Sequence, residues 1–151
     1  MISNETPAPS IVRPALPAVV VTPDDDWRAL LRTRANALIT GSADALEAFV
    51  DSARDALRDP ILCVPCDRMA ELPQTGTIVL KDLHLLGSDS QATLAAWMDT
   101  ADRSRMQIVS MTPVPLLPAV QEGHFDSALY YRLNSLHFTV LLVDRGPGRL
   151  A

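Results

Sequence analysis

The sequence predicts an α/β fold, with a doubly wound, mainly parallel, five-stranded sheet in one domain. Three observations carry this expectation. Short apolar segments of strand character alternate with longer segments of helical spacing, the pattern that gives a parallel sheet with helical crossovers. The central segment, Ile78, Val79 and Leu80, lacks polar alternation and is entered through Gly76, which suits a strand covered on both faces. A chain of 151 residues, 48% hydrophobic and 21% charged, can bury one core without a metal or disulfide staple.

Taken in order, residues 1–23 contain Pro7, Pro9, Pro14, Pro17 and Pro23, which block helix and remove backbone donors. This stretch is expected as a Pro-rich flexible arm, with Val19, Val20 and Val21 offering at most an edge strand. The core is expected over residues 24–144. Asp24, Asp25 and Asp26 put acids at the positive end of a helix whose stripe is Trp27, Leu30 and Leu31. Residues 37–40 make the first strand. Gly41 and Ser42 turn it into a helix over residues 43–57, which buries Leu46, Phe49, Val50 and Leu57 before Asp59 and Pro60 end it. Residues 61–64 form a second strand and residues 66–74 an irregular link. After the central strand, Ser88 or Asp89 caps a helix reaching Ala101, on which Leu94, Trp97 and Met98 serve as core or line a groove. Residues 107–111 form the next strand, stopped by Pro113 and Pro115. Helical turns over residues 118–123 and 127–133 lead to a last strand over residues 135–143 and a C-terminal tail over residues 145–151.

The bulk composition excludes several functions. Nucleic-acid binding needs clustered cations, whereas Lys81 is the only lysine, the arginines are dispersed and the net charge is -5. No apolar run approaches the roughly 20 residues that cross a bilayer, and residues 1–10 lack a signal-peptide pattern. A cytoplasmic protein without membrane contact is expected. Cys63 and Cys66 form a lone C-x-x-C, half a zinc site or a redox pair at most, and are expected as reduced packing residues. His84, His124 and His137 lack the spacing of a metal site, and His84 has no nucleophile elbow beside it. No metal and no cofactor are expected.

Chemistry in an open α/β sheet belongs at the carboxyl ends of the strands, and there the central strand supplies Lys81 and Asp82. A nucleotide hydrolase requires two acids at this place, one for magnesium and one to orient water. One acid beside a lysine does not meet that need.

Several segments, in order, resemble the AAA+ domain of bacterial sigma-54-dependent transcriptional activators, the enhancer-binding proteins. Leu38, Ile39, Thr40 and Gly41 are similar to the strand leading into that family's phosphate loop. Residues 76–86 resemble its motif G-T-L-F-L-D-E-I-G-E-L, and residues 107–116 its sensor strand. The most specific match is residues 122–134, close to E-G-x-F-R-x-D-L-Y-Y-R-L-N. The resemblance covers roughly residues 27–142 and implies a P-loop NTPase fold.

The departures from the family pattern decide the functional expectation. Counting G-x-x-x-x-G-K-[ST] from Gly41 puts Leu46 at the second glycine, Glu47 at the lysine and Ala48 at the magnesium-binding hydroxyl. Lys81 and Asp82 stand at the family's paired acids. Pro113 replaces the sensor asparagine. Asp126 replaces the first of two arginines presented to a neighbouring subunit, and Arg132 keeps the second. Between the second strand and Gly76 only residues 67–75 stand where the family carries its G-A-F-T-G-A loop. The helical lid is expected to be missing, because the chain stops at Ala151. Two readings stand for Lys81, an anion contact or an ion pair with Asp82, Glu47 or another acid. Two also stand for Arg132, an arginine finger in trans or a structural partner of Asp126, Asp82 or a helix carbonyl.

The resemblance and the missing chemistry together imply a pseudo-ATPase that acts by binding other proteins. The expected partner is a related AAA+ activator or a second copy, met through a surface containing Glu122, Phe125, Asp126, Tyr130, Tyr131 and Arg132. Such binding would regulate transcription. The alternatives are a residual ATP-binding protein or ATPase using Lys81 and Arg132, and a receiver-like or small-molecule-sensing domain.

Overall fold

A computed structural model of the chain describes residues 18–23, 26–66, 72–73, 75–101 and 105–143. The elements run β1 (Ala18–Thr22), α1 (Trp27–Arg32), β2 (Ala37–Gly41), α2 (Ala43–Ala53), β3 (Ile61–Pro65), β4 (Gly76–Lys81), α3 (Ser88–Thr100), β5 (Met106–Thr112), α4 (Leu117–Gln121), α5 (Ser127–Leu133) and β6 (Leu136–Val143). They form a six-stranded sheet in the order β1-β6-β2-β5-β4-β3. Every pairing among β2 to β6 is parallel, and β1 lies antiparallel on the outer edge of β6.

The sixth strand corrects the expected count of five and the expected arm boundary at Pro23. Ala18 to Thr22 pair with Val143 to Thr139, and Val21 is buried at 4% exposure. The β-branched triplet is free of proline, and Pro17 and Pro23 flank the strand, so the ladder loses no donor inside it. Residues 1–17, most of the link over residues 66–74, and the tail over residues 145–151 lie outside the described residues.

Two hydrophobic layers sandwich the sheet. On one side α1 and α2 bring Leu31, Leu46, Phe49 and Val50 onto Ile39, Val79, Val109 and Phe138. On the other, Leu94, Met98, Phe125, Leu129 and Leu133 cover Leu38, Ile78, Leu80 and Ile108. β5 is buried along its whole length and β4 everywhere except Lys81, as the unalternated run of residues 78–80 requires. Gly76 enters β4 with φ +102, a conformation that excludes most side chains, and its N–H donates to the Arg105 carbonyl at 2.8 Å.

Helix ends follow local chemistry. Asp26 caps α1 by accepting from the Ala29 N–H, Ser42 caps α2 by accepting from the Ala45 N–H, and Asp126 caps α5 by accepting from the Leu129 N–H at 2.8 Å. The expected cap of α3 by Ser88 or Asp89 is not formed: Gly87 holds the N-cap position without a side-chain bond. Buried Gln91 instead ties that end to its surroundings. Its Nε2 donates to the Leu86 and His124 carbonyls at 2.9 and 3.1 Å, and its Oε1 accepts from the Asp126 N–H at 2.8 Å.

Amides also close the amino edge of the sheet. Gln107 Nε2 donates to the Leu31 and Ala35 carbonyls, while Asn36 Oδ1 accepts from the Ile108 N–H and Asn36 Nδ2 donates to the Arg132 carbonyl. These bonds pair backbone groups that burial would otherwise leave unpaired. No helix among the described residues is long and apolar enough to cross a membrane.

Candidate functional site

The carboxyl edge of the sheet holds the positions where the sequence places a nucleotide site. β2 ends at Gly41 and α2 begins at Ala43, so Ser42 alone connects them. Its hydroxyl accepts from the Ala45 N–H at 3.2 Å, and its carbonyl accepts from the Leu46 N–H at 2.9 Å. A phosphate loop cradles its ligand with unpaired backbone N–H groups on an open loop. Here the strand passes directly into a helix, and Ser42 takes up the Ala45 and Leu46 N–H groups.

Leu46, Glu47 and Ala48 therefore do not lie on a loop. They occupy the second turn of α2, with Leu46 buried, Glu47 exposed and Ala48 half-buried. Gly41 has a packing reason to be glycine. A Cβ there would fall 2.6 Å from both Val140 Cγ2 and the Val140 carbonyl oxygen on β6.

A depression of about 310 Å³ lies between α2 and the ends of β3, β4 and β5. Asp44, Glu47, Asp51 and Asp82 line it, against Lys81 and Arg54. Carboxylates thus outnumber cations, and a triphosphate carrying several negative charges would meet net repulsion. Arg54 pairs with Asp51 at 3.7 Å, while Lys81 makes no ion pair among the described residues. The expected pairing of Lys81 with Asp82 or Glu47 is not formed, although all three share the depression.

Asp82 adopts a left-handed backbone, φ 56 and ψ 49, and opens a 3-10 turn over Leu83–Leu85. A short polar side chain tolerates that conformation. His84 in this turn is half-buried, with an enclosed Nδ1 that has no partner among the described residues. At the end of β5, Thr112 Oγ1 donates to the Val114 carbonyl at 2.7 Å and accepts from the Val114 N–H, which folds the chain back at Pro113. No side-chain amide stands at that sensor position.

The candidate interface divides into frame and surface. Phe125 and Tyr130 are core residues at 3% and 8% exposure. Tyr131, 65% exposed, meets Tyr130 edge to face with centroids 5.2 Å apart. Glu122 is exposed and lies 3.8 Å from His124, a surface pair of little energetic weight. Asp126 is committed to capping α5. Arg132 Nη1 pairs with Asp99 Oδ1 on α3 at 2.9 Å, which corrects the expected partners Asp126 and Asp82. Arg132 and Lys81 stand at opposite ends of the sheet. The first lies near the starts of β2, β5 and β6, and the second ends β4.

The remaining candidates separate. Cys63 and Cys66 pack against different hydrophobic layers, so they do not face each other. The described residues contain no His, Cys, Asp and Glu group able to hold a metal. His137 Nε2 lies 3.2 Å from Thr40 Oγ1, and partial burial of its ring pushes its pKa below 6.5. Sequence reasoning missed a second cavity, about 220 Å³, at the amino edge of the sheet between Arg34, Trp97 and Arg132. Trp97 as a groove residue was its one legible signal.

The model of the sigma-54 interaction domain family matches residues 38–141. The chain belongs to that family. Solved structures similar to this sigma-54 interaction domain include NtrX from Brucella abortus in complex with ADP, at 19% identity and TM-score 0.58 over 74% of this chain and 33% of that one. NtrX in complex with ATP matches at 20% identity and TM-score 0.59, over 76% and 33% of the two chains. NtrX without a named ligand matches at 19% identity and TM-score 0.59, over 76% and 35%. The likeness establishes the AAA+ type of P-loop NTPase fold, and this domain spans about a third of the length of those structures. Among curated proteins no sequence matches it.

Proposed function

We propose that this sigma-54 interaction domain is a non-catalytic protein-interaction module. It regulates transcription by binding a related AAA+ activator or a second copy of itself. The single observation that carries the reading is the one-residue passage through Ser42 from β2 into α2, which leaves no loop to close on a polyphosphate. The excess of carboxylates around Lys81 supports it, because the vacated cleft repels the ligand its relatives' fold accommodates. The exposed ring of Tyr131, held on a rigid base of Phe125 and Tyr130, supplies an aromatic contact of the kind enriched at protein interfaces.

Two measurements test this function. A fluorescent ATP analogue titrated with magnesium is expected to give no saturable binding, and a micromolar dissociation constant would overturn the non-catalytic assignment. Sedimentation of the domain alone, and mixed with the AAA+ domain of a sigma-54 activator, is expected to reveal a self-associated or mixed species that Tyr131→Ala weakens. Independent sedimentation of both proteins at tens of micromolar would refute the proposed partners.

A further inference from the structure

We infer that the cavity at the amino-terminal edge of the sheet is a binding site for a small aromatic monocarboxylate. It lies at the opposite end of the strands from the candidate nucleotide edge. Its volume is about 220 Å³. A dry apolar cavity of about 150 Å³ holds benzene, so this one has room for a single ring and a short charged arm.

The lining matches those two parts. Met98, Met106 and Ile108 form an apolar wall. Trp97 adds an aromatic face.

Two cations reach the cavity, with different freedom. Arg132 is held by Asp99 at 2.9 Å, so its charge is largely answered. Arg34 makes no ion pair among the described residues. One unanswered guanidinium at the rim of an apolar wall fits one carboxylate on an aromatic ring, with a charge-assisted bond from Arg34.

The backbone of Arg34 is a second, independent sign. It follows α1 with φ 72, in the left-handed position where helices favour glycine. A bulky residue kept in that conformation marks a place where a side chain is used at the expense of local stability. That conflict separates ligand binding from folding in the test.

The probe is sodium benzoate, with neutral benzamide as control, observed through the two indole N–H signals in nitrogen-15 NMR. Trp27→Phe assigns the signal of Trp97. Benzoate is expected to move the Trp97 signal saturably, with a dissociation constant on the order of 1 mM for so small a ligand. Benzamide is expected to bind roughly tenfold more weakly. Arg34→Gly is expected to weaken benzoate by a similar factor while raising the melting temperature by roughly 2–4 °C. The site is refuted if benzoate leaves the Trp97 signal in place at high concentration, or if benzamide or the Arg34→Gly domain responds equally. Loss of binding in Arg34→Gly together with a lower melting temperature would also overturn it, because the loss would then follow from damage to the fold.

Discussion

Substituting Gly41 by alanine tests why a glycine ends β2. A Cβ at this position would stand 2.6 Å from Val140 Cγ2 and 2.6 Å from the Val140 carbonyl oxygen. Neither partner yields easily, since Val140 is fully buried and its backbone belongs to β6, beside β2 in the sheet. Forcing a methyl into such a site costs roughly 1–3 kcal/mol. Replacing glycine also restricts the unfolded chain, which offsets about 0.4–1 kcal/mol of that cost. The net loss is on the order of 1–2 kcal/mol. In urea the midpoint should fall by roughly 0.5–1 M with the slope unchanged. Val140→Ala in the same background should recover only part of the coupling, because it removes Cγ2 and leaves the carbonyl. A midpoint that stays or rises in Gly41→Ala would refute the packing role and return this glycine to a ligand-binding explanation.

Three further outcomes are expected. Asp126→Ala removes the cap of the seven-residue α5 and should cost about 1 kcal/mol in urea unfolding, whereas Asp126→Asn should keep most of it. Arg132→Ala should cost less than about 1 kcal/mol, because its partner Asp99 is 69% exposed; a double-mutant cycle with Asp99→Asn that shrinks in salt would verify the pair. His137 favours its neutral form in the folded state, so the unfolded chain takes up the proton first as the solution is acidified. Its contribution is complete above the unfolded value of 6.5 and declines as pH falls through the lower folded value. Denaturation across this window should show a smaller acid-side loss for His137→Gln than for the parent.

The sheet was legible because its signal is repetitive. β4 and β5 are apolar without alternation, each helix crossover restores a stripe, and the order of segments fixes a parallel sheet. The extra strand was hidden by proline, since Pro17 and Pro23 look disruptive when counted and flank the strand when folded. At the candidate site, counting from Gly41 gave Leu46, Glu47 and Ala48 the motif's binding positions, while the apolar spacing put the same residues on a helix over residues 43–57, where the structure has them. Motif counting alone is blind to where a helix begins, and Ser42 caps it at once, as the Gly41 and Ser42 turn had indicated. Cys63 lies within β3 and Cys66 just past its end, so the C-x-x-C spacing spans the exit from a strand and does not bring the two thiols together. Arg132 was recognised as the retained motif residue, but its partner Asp99 lies on another helix, a proximity that only the tertiary arrangement supplies. Apart from Trp97, the cavity beside Arg34 had no local signature, because its walls come from segments distant in sequence.

Gln91 links one further consequence to this division of labour. A single carboxamide on α3 fastens the segment that leads into α5 to the one that leads into α3, so the outward ring of Tyr131 is aimed by a residue it never meets. Solvent-facing positions along that helix are therefore free to drift during evolution while the mount beneath them stays put. New binding preferences can arise on such a mount by exchanging the outer side chains alone.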